Sequence, residues 1–338
     1  MISEAYKINR IEPDSLTPAV IQNLYAADSR IVEKYGFLKQ FRNANEYKDL
    51  FLSTFTGGEK ELFIIKNQSL ICGILSFIKG ADWSGKVRYE LAIRLGDLEI
   101  SKPLIECLSQ FIDEKLTKHH QFAIITYNNE LEALIQNHVA KIDKNANTYT
   151  LDREDINLDL LNKAINEYQV KNSDLNMIYT NIISEEYIEQ YCDLFMETMT
   201  DMPDRSEEGY VPYVITPEKQ RQHNEANIKN HTTHHCYMIY NESNMMIGKT
   251  NVSVNNKDPR FPYQFMIGIK SEYRGRSLGK WLYASMYKKL FENVAFEKVL
   301  IHHHPKNEHA IAISEWIGYK FRYLETLYVV RSSCDKSL

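Results

Sequence analysis

Tyr273-Arg-Gly-Arg-Ser-Leu-Gly-Lys280 sets two glycines, a serine and three cations into one short stretch, a combination suited to holding a phosphorylated ligand. Arg274, Arg276 and Lys280 bring positive charge, while Gly275 and Gly279 let an anion approach the backbone. Such a cradle works when a helix begins at it, because the free amides of the first helical turn and the helix dipole both point at the anion. The chain is expected to bind a phosphorylated cofactor at this turn.

The flanking sequence supplies the elements that would position it. Tyr263–Ile269 is a short apolar run rich in aromatic and β-branched residues and reads as a strand. Downstream, Leu278, Trp281, Leu282, Met286, Leu290 and Phe291 fall near helical spacing. Trp281, Tyr283, Met286 and Tyr287 read as core on that helix rather than as a cofactor box. Two histidine-rich stretches, His231-x-x-His-His-Cys236 and His302-His-His304, hold enough nitrogen and sulfur for zinc. Neither spacing matches a structural zinc signature, and no metal is assigned.

The elements around the turn repeat in order along the chain. In the first half, strands are expected at 6–11, 61–66, 69–78, 86–94 and 121–127, with helices at 18–34, 45–55, 101–116 and 130–141. In the second half, strands are expected at 176–181, 235–240, 245–254, 263–269, 298–302 and 324–330. Its helices fall at 184–200, 217–229, after Arg274, and at 308–316. Asn129-Glu130 falls opposite Asn307-Glu308, and Ser101 opposite Ser277. A repeat this long reads as a duplicated domain rather than a solenoid. The expected organisation is a first domain over 1–151, a polar linker over 152–174 with a helix around 158–168, and a second domain over 175–338. Each domain is expected to be a mixed α/β (α+β) structure with a mostly antiparallel twisted sheet flanked by helices.

Composition bounds the rest. A 338-residue chain, 43% apolar and 25% charged, is an ordinary globular composition and long enough for two cores. A net charge of -5 argues against general nucleic-acid affinity. No apolar run approaches the roughly 20 residues that cross a bilayer, so no membrane partner is expected. The N-terminus lacks the layout of a secretion signal. Five scattered cysteines, at 72, 107, 192, 236 and 334, suit a reducing compartment, and the cytoplasm is the expected location.

With the turn and the strand order in hand, the second half resembles the GNAT superfamily of acetyl-CoA-dependent N-acyltransferases. The matched signature, Arg/Gln-x-x-Gly-x-Gly/Ala, is Arg274-Gly-Arg-Ser-Leu-Gly279, and the closing block Asn307-Glu-His-Ala-Ile-Ala-Ile-Ser-Glu-Trp-Ile-Gly-Tyr319 resembles the family's last helix. The resemblance covers about 175–330, and the first half by element order alone. The duplicated layout, with Thr200-Asp-Met-Pro203 before the second long helix, looks like the tandem GNAT proteins that include mycothiol synthase. The resemblance implies that Arg274, Gly275, Arg276, Ser277, Leu278, Gly279 and Lys280 hold the pyrophosphate of acetyl-CoA. It further implies that Ile267, Gly268 and Ile269 hold the thioester and pantetheine arm, Gly268 through a bulge or close approach, and that Asn307 contacts or orients the pantetheine region.

Two residues depart from the family pattern. Ser277 stands at its central glycine, where serine is expected to cap the helix. Ser314 stands where many members carry the tyrosine that protonates the departing thiolate, leaving only a serine hydroxyl for that role. The first half has Leu98-Glu-Ile-Ser-Lys-Pro103 opposite the phosphate turn, with no glycine and with Asp97 and Glu99 nearby. It reads as a degenerate copy that keeps the fold and shapes the acceptor cleft.

Acyl transfer to an amine needs a base, an oxyanion donor and a departing thiolate. Met266 and Gln264 supply no carboxylate on the strand. The candidates are Glu272, the run His302 to His304, and Asp201, Asp204, Glu207 or Glu208 in the acceptor loop. Strand alternation would put His302 and His304 on one face and His303 on the other. Catalytic roles are assigned to His302, His304, Glu272 and Ser314. The expected function is acetyl transfer from acetyl-CoA to the amine of a small molecule by direct attack on the thioester, and the acidic loop favours a cationic amine. The alternatives are a non-catalytic acyl-CoA-binding regulatory or scaffolding protein, and transfer of a different acyl group.

Overall fold

The computed structural model describes residues 6–53, 60–81, 87–96, 100–203 and 213–332. Asp97, Leu98, Glu99, Asp204, Glu207, Glu208 and Cys334 lie outside them. In chain order the elements are β1 (Lys7–Arg10), α1 (Pro18–Tyr35), α2 (Ala44–Ser53), β2 (Lys60–Asn67), β3 (Leu70–Ala81), β4 (Val87–Leu95), α3 (Lys102–His119), β5 (Gln121–Tyr127), α4 (Glu132–Gln136) and β6 (Val139–Asp152). There follow α5 (Leu158–Lys171), β7 (Asn176–Thr180), α6 (Glu185–Met199), α7 (Pro217–Lys229), β8 (Thr232–Tyr240), β9 (Met246–Asn255), β10 (Tyr263–Ile269), α8 (Leu278–Asn293), β11 (Lys298–His303), α9 (Glu308–Ile317) and β12 (Lys320–Arg331).

The chain divides into two compact units, one of residues 1–146 with 322–338 and one of residues 147–321. In the first unit the strand order is β1-β2-β3-β4-β5-β12, and only the β4–β5 pair is parallel. Helices α3 and α4 bury Leu104, Leu108, Ile112 and Leu134 against one face of this sheet. Helices α1 and α2 bury Ile21, Leu24 and Tyr47 against the other. The second unit has the same plan, β7-β8-β9-β10-β11-β6, with β10–β11 as its parallel pair. Here α5, α8 and α9 pack Leu161, Tyr287 and Ile317 on one face, and α6 packs Ile188 and Leu194 on the other. In each unit the closing strand comes from the far side of the chain: Glu325–Arg331 pairs with β5, and Asn147–Asp152 with β11.

Local sequence sets the helix ends. Thr17, Asn157 and Thr216 accept amide hydrogens from the first turns of α1, α5 and α7, and Pro18 and Pro217 occupy first-turn positions that need no donor. The expected helix over 130–141 is corrected. It is limited to Glu132–Gln136, and β6 begins at Val139. Leu131, Leu134 and Ile135 do have helical spacing and are buried. Beyond them a Lys- and Asn-rich sequence of weak strand propensity is nonetheless strand, and its last six residues, Asn147–Asp152, pair with β11.

Candidate functional site

Strand β10 meets β11 only at Tyr263–Leu300 and Gln264–Ile301. Further along it keeps only β9, through Ile267–Thr250, Gly268–Lys249 and Ile269–Gly248. The strand therefore turns away from β11, and one edge of Ile267–Ile269 has no strand partner among the described residues. The turn originates in an irregularity of register between Gln264 and Ile267, which leaves Phe265 and Met266 both on the α6 face. Phe265 faces the His234 ring, and Met266 meets Thr198 of α6.

Gln264 holds this shape. Fully buried, it donates from Nε2 to Thr250 Oγ1 at 3.0 Å and to the Asn251 carbonyl at 3.1 Å. Its Oε1 accepts from the Tyr287 phenol at 2.9 Å. A glutamine inside an apolar strand is the sequence signal for such a role, since a buried amide must find partners.

Gly268 lies in the departing segment and serves close approach rather than the irregularity itself. A Cβ here would come within 2.7–3.0 Å of three atoms of Thr198. Threonine is short and stiff, so it cannot swing aside. Gly268→Ala is expected to cost about 1–3 kcal/mol by overpacking, read as a lowered urea midpoint with unchanged slope.

The strand runs through a single turn of 3-10 helix, Ser271–Tyr273, into the glycine–arginine turn. Gly275 has φ +79 with no atom of the described residues within 4 Å of where a Cβ would stand, so among them the turn is open on that side. Ser277 has φ +64 and makes no side-chain cap bond. The expectation that it caps α8 is thus corrected. A left-handed serine costs roughly 1–2 kcal/mol, which explains why glycine suits this position. The Trp281 amide is the first of α8 to find a backbone acceptor, the Ser277 carbonyl. The amides of Leu278, Gly279 and Lys280 precede it at the positive end of a 16-residue helix.

The two arginines are held from opposite sides. Arg276 donates to Asn172 Oδ1 at 3.0 Å and to both Asp174 oxygens at 2.6 and 2.8 Å, tying the turn to the end of α5. That hydrogen bonding holds the Asp174 carboxyl below the ordinary range. Arg274 donates to the Ile269 carbonyl at 3.1 Å and pairs with Asp201, just past α6. Lys270 pairs with Glu197 at 2.7 Å, so α6 is anchored twice at the end of β10. Lys280 lies over the Trp316 ring at 5.1 Å. Leu278 and Gly279 are buried, the latter against Ile313 of α9.

The other expected site residues divide. Asn307 caps α9, its Oδ1 accepting from the Ala310 amide. Ser314 is 0% exposed, and its hydroxyl hydrogen-bonds His303 Nε2 at 2.8 Å. Glu272 is exposed beside the turn, and its own backbone amide and Ser271 hold its carboxyl low. His304 accepts the Lys306 amide through Nδ1. His302 alternates with buried His303, as expected, and lies beside Tyr263 at 5.7 Å between ring centres. It therefore stands where β10 and β11 begin to part.

On the α6 face of β8 and β9 sits a polar group that the sequence reading does not single out. Lys249 is fully buried, its ammonium over the rings of Tyr191 at 3.9 Å and Phe195 at 4.8 Å. Burial pushes it down to about 8. Nearby, burial and the Lys249 charge push His234 down to about 4. The only sequence signal is a lysine in a strand that reads as central in its sheet.

The first unit carries the same parting of strands. β4 pairs with β5 over Glu90–Ala123 to Ala92–Ile125, and Ile93–Leu95 then keep only β3. There the Lys34 ammonium binds both the Gly96 carbonyl at 3.0 Å and the Glu130 carboxylate at 3.1 Å, and the Tyr35 phenol donates to the same carboxylate. Pro103 removes one amide from the first turn of α3.

A family model for the acetyltransferase (GNAT) domain matches residues 169–320. No curated protein sequence matches the chain. Among solved structures, a GCN5-related N-acetyltransferase from Sphaerobacter thermophilus aligns over 98% of this chain and 97% of its own, with TM-score 0.61 at 10% identity. A tandem GNAT protein from the clavulanic acid biosynthesis pathway aligns over 96% and 98%, with TM-score 0.57 at 11% identity. The glucosamine N-acetyltransferase region of a fungal multi-domain GH3 beta-N-acetylglucosaminidase aligns over 96% of this chain and 38% of its own, with TM-score 0.56 at 11% identity. At these identities the likeness is one of fold.

Proposed function

We propose that this member of the GNAT superfamily, built on the tandem form of its fold, transfers an acetyl group from acetyl-CoA to the amine of a small molecule in its second unit. The observation that carries the reading is the run of β10, parted from β11, straight into a turn with open glycine, bare amides and cations. The amides of 275–280 would take the pyrophosphate, with Arg274 exchanging Asp201 for it. Arg276 would act by fixing the turn to α5 rather than by touching the anion. Ile267–Ile269, with one edge unpaired, would hydrogen-bond the pantetheine arm and offer an amide to the thioester oxygen. The first unit lacks the turn and would support the fold.

His302 is the proposed base. The amine nitrogen attacks the thioester carbonyl carbon, its proton passes to His302, and collapse of the tetrahedral oxyanion breaks the carbon–sulfur bond. The thiolate leaves without a dedicated side-chain acid, tolerable because an ordinary thiol has a pKa of about 8.5. The test is thiol release over a broad amine panel. For any substrate found, His302→Ala is expected to lower kcat by 10²–10⁴-fold, roughly the span of general-base catalysis, and to remove the acid limb of the pH profile. The buried Ser314 favours a second reading as a non-catalytic acyl-CoA-binding protein. On that reading acetyl-CoA binds, yet no amine releases thiol.

A further inference from the structure

On the sheet face beneath α6, three side-chain atoms are buried without a hydrogen-bond partner among the described residues: Lys249 Nζ, His234 Nε2 and Asn251 Oδ1. The register sets them in one patch. His234 lies opposite Ser253, Cys236 opposite Asn251 and Met238 opposite Lys249. Asn251 is therefore diagonal to His234 and two residues from Lys249 on the same face. Lys249 is also paired across the strands with Gly268, in the segment proposed to hold the thioester.

The surroundings do not account for this patch. The ammonium faces the Tyr191 and Phe195 rings, and among the described residues Cys192 and Cys236, not a carboxylate, are the titratable groups acting on it. Aromatic faces offset only part of the cost of burying a charge. A bare imidazole nitrogen and a bare amide oxygen beside it add to that cost. Such a group fits a ligand that brings one anionic end and one N–H donor.

We propose that the acceptor is an amine carrying a carboxylate, of the amino-acid class, its carboxylate taken by Lys249 with His234 and its amine hydrogen accepted by Asn251 Oδ1. This rests on the acyl-transfer reading for the identity of the ligand as acceptor. The proposed amine would stand on the α6 face of β10, one strand from Lys249. It replaces the preference for a cationic amine suggested by the acidic loop.

The probes are N-acetylated amino acids and their decarboxylated counterparts, the N-acetylamines, compared pair by pair by thermal shift and equilibrium binding on the full chain. Wild type is expected to bind the carboxylate member of at least one pair tenfold or more tighter than its match. Lys249→Met, of similar length and without charge, is expected to abolish that preference while leaving the acetyl-CoA shift intact. The wild-type comparison stands even if the variant fails to fold. Equal binding of both members, preference for the decarboxylated member, binding of neither, or a preference that survives in folded Lys249→Met would overturn the proposal. Carboxylate preference without thiol release from any amine would instead remove the acyl-transfer reading and leave the anion site standing.

Discussion

Arg274→Glu is expected to lower acetyl-CoA affinity by about two orders of magnitude or more, with little change in the stability of the free protein. The guanidinium stands at the open side of the turn, exposed and shared between the Ile269 carbonyl and Asp201. As an exposed pair, Arg274–Asp201 contributes only about 0–1 kcal/mol to folding. Reversing the charge beside a pyrophosphate changes the interaction twice, once by loss of attraction and once by repulsion. At a separation of about 5 Å and an effective dielectric near 20, each contribution amounts to roughly 3 kcal/mol before screening. Asp201→Asn is the matched control. Freeing Arg274 from its intramolecular partner is expected to tighten acetyl-CoA several-fold. Titration of both variants at low and physiological salt checks the pair, since the contribution of an exposed guanidinium must weaken with salt. Unchanged affinity in Arg274→Glu would place the pyrophosphate elsewhere.

Acid is expected to destabilise the second unit sharply between pH 6.5 and 4. His234, His235 and His303 are each pushed by burial to about 4, from an ordinary value of 6.5. In that window the unfolded chain takes up protons that the folded chain refuses. Stability is therefore full above pH 6.5 and is lost as pH falls toward 4. By pH 5 each histidine accounts for about 2 kcal/mol, and three together rival the 5–15 kcal/mol of a typical domain. In the first unit, burial raises the Asp28 and Glu325 carboxyls, which works in the opposite sense as pH falls. Hydrogen exchange at pH 7 and 5, corrected for intrinsic rate, should show protection lost first in residues 147–321. His303→Gln, which can still bond Ser314, should remove about a third of the pH slope in the urea midpoint. A flat midpoint between pH 7 and 5 would contradict the burial of these rings.

What was legible in the sequence is what local chemistry determines. Apolar periodicity marks β10 and α8 in isolation, and the glycine–cation run between them is an anion cradle wherever it occurs. Fold class followed from element order. The pieces that stayed hidden depend on partners far along the chain. Nothing near Arg276 announces Asn172 and Asp174, about a hundred residues away. The left-handed backbone at Ser277 is a property of the turn, and a serine there suggests a cap because that is its ordinary use. Ser314 looks available in a helix that ends Trp-Ile-Gly, and only the packing of β11 against α9 shows it buried beneath His303. The strand at Val139–Asp152 was missed because its Lys and Asn content is unfavourable in isolation, and the β11 partner of its Asn147–Asp152 end lies far along the chain. Lys249 is the sharpest case. A strand lysine reads as solvent-facing, and only α6 above it makes it buried, with no hydrogen-bond partner for its ammonium among the described residues.

The most direct measurement is calorimetric titration of the full chain with acetyl-CoA, combined with hydrogen exchange of the complex. One equivalent should bind per chain, slowing exchange at the amides of 275–280 and along Ile267–Ile269, and leaving 93–96 and 101–105 unchanged. Absence of binding, a second equivalent, or protection that falls on the first unit instead would contradict acetyl-CoA recognition by the Arg274–Lys280 turn.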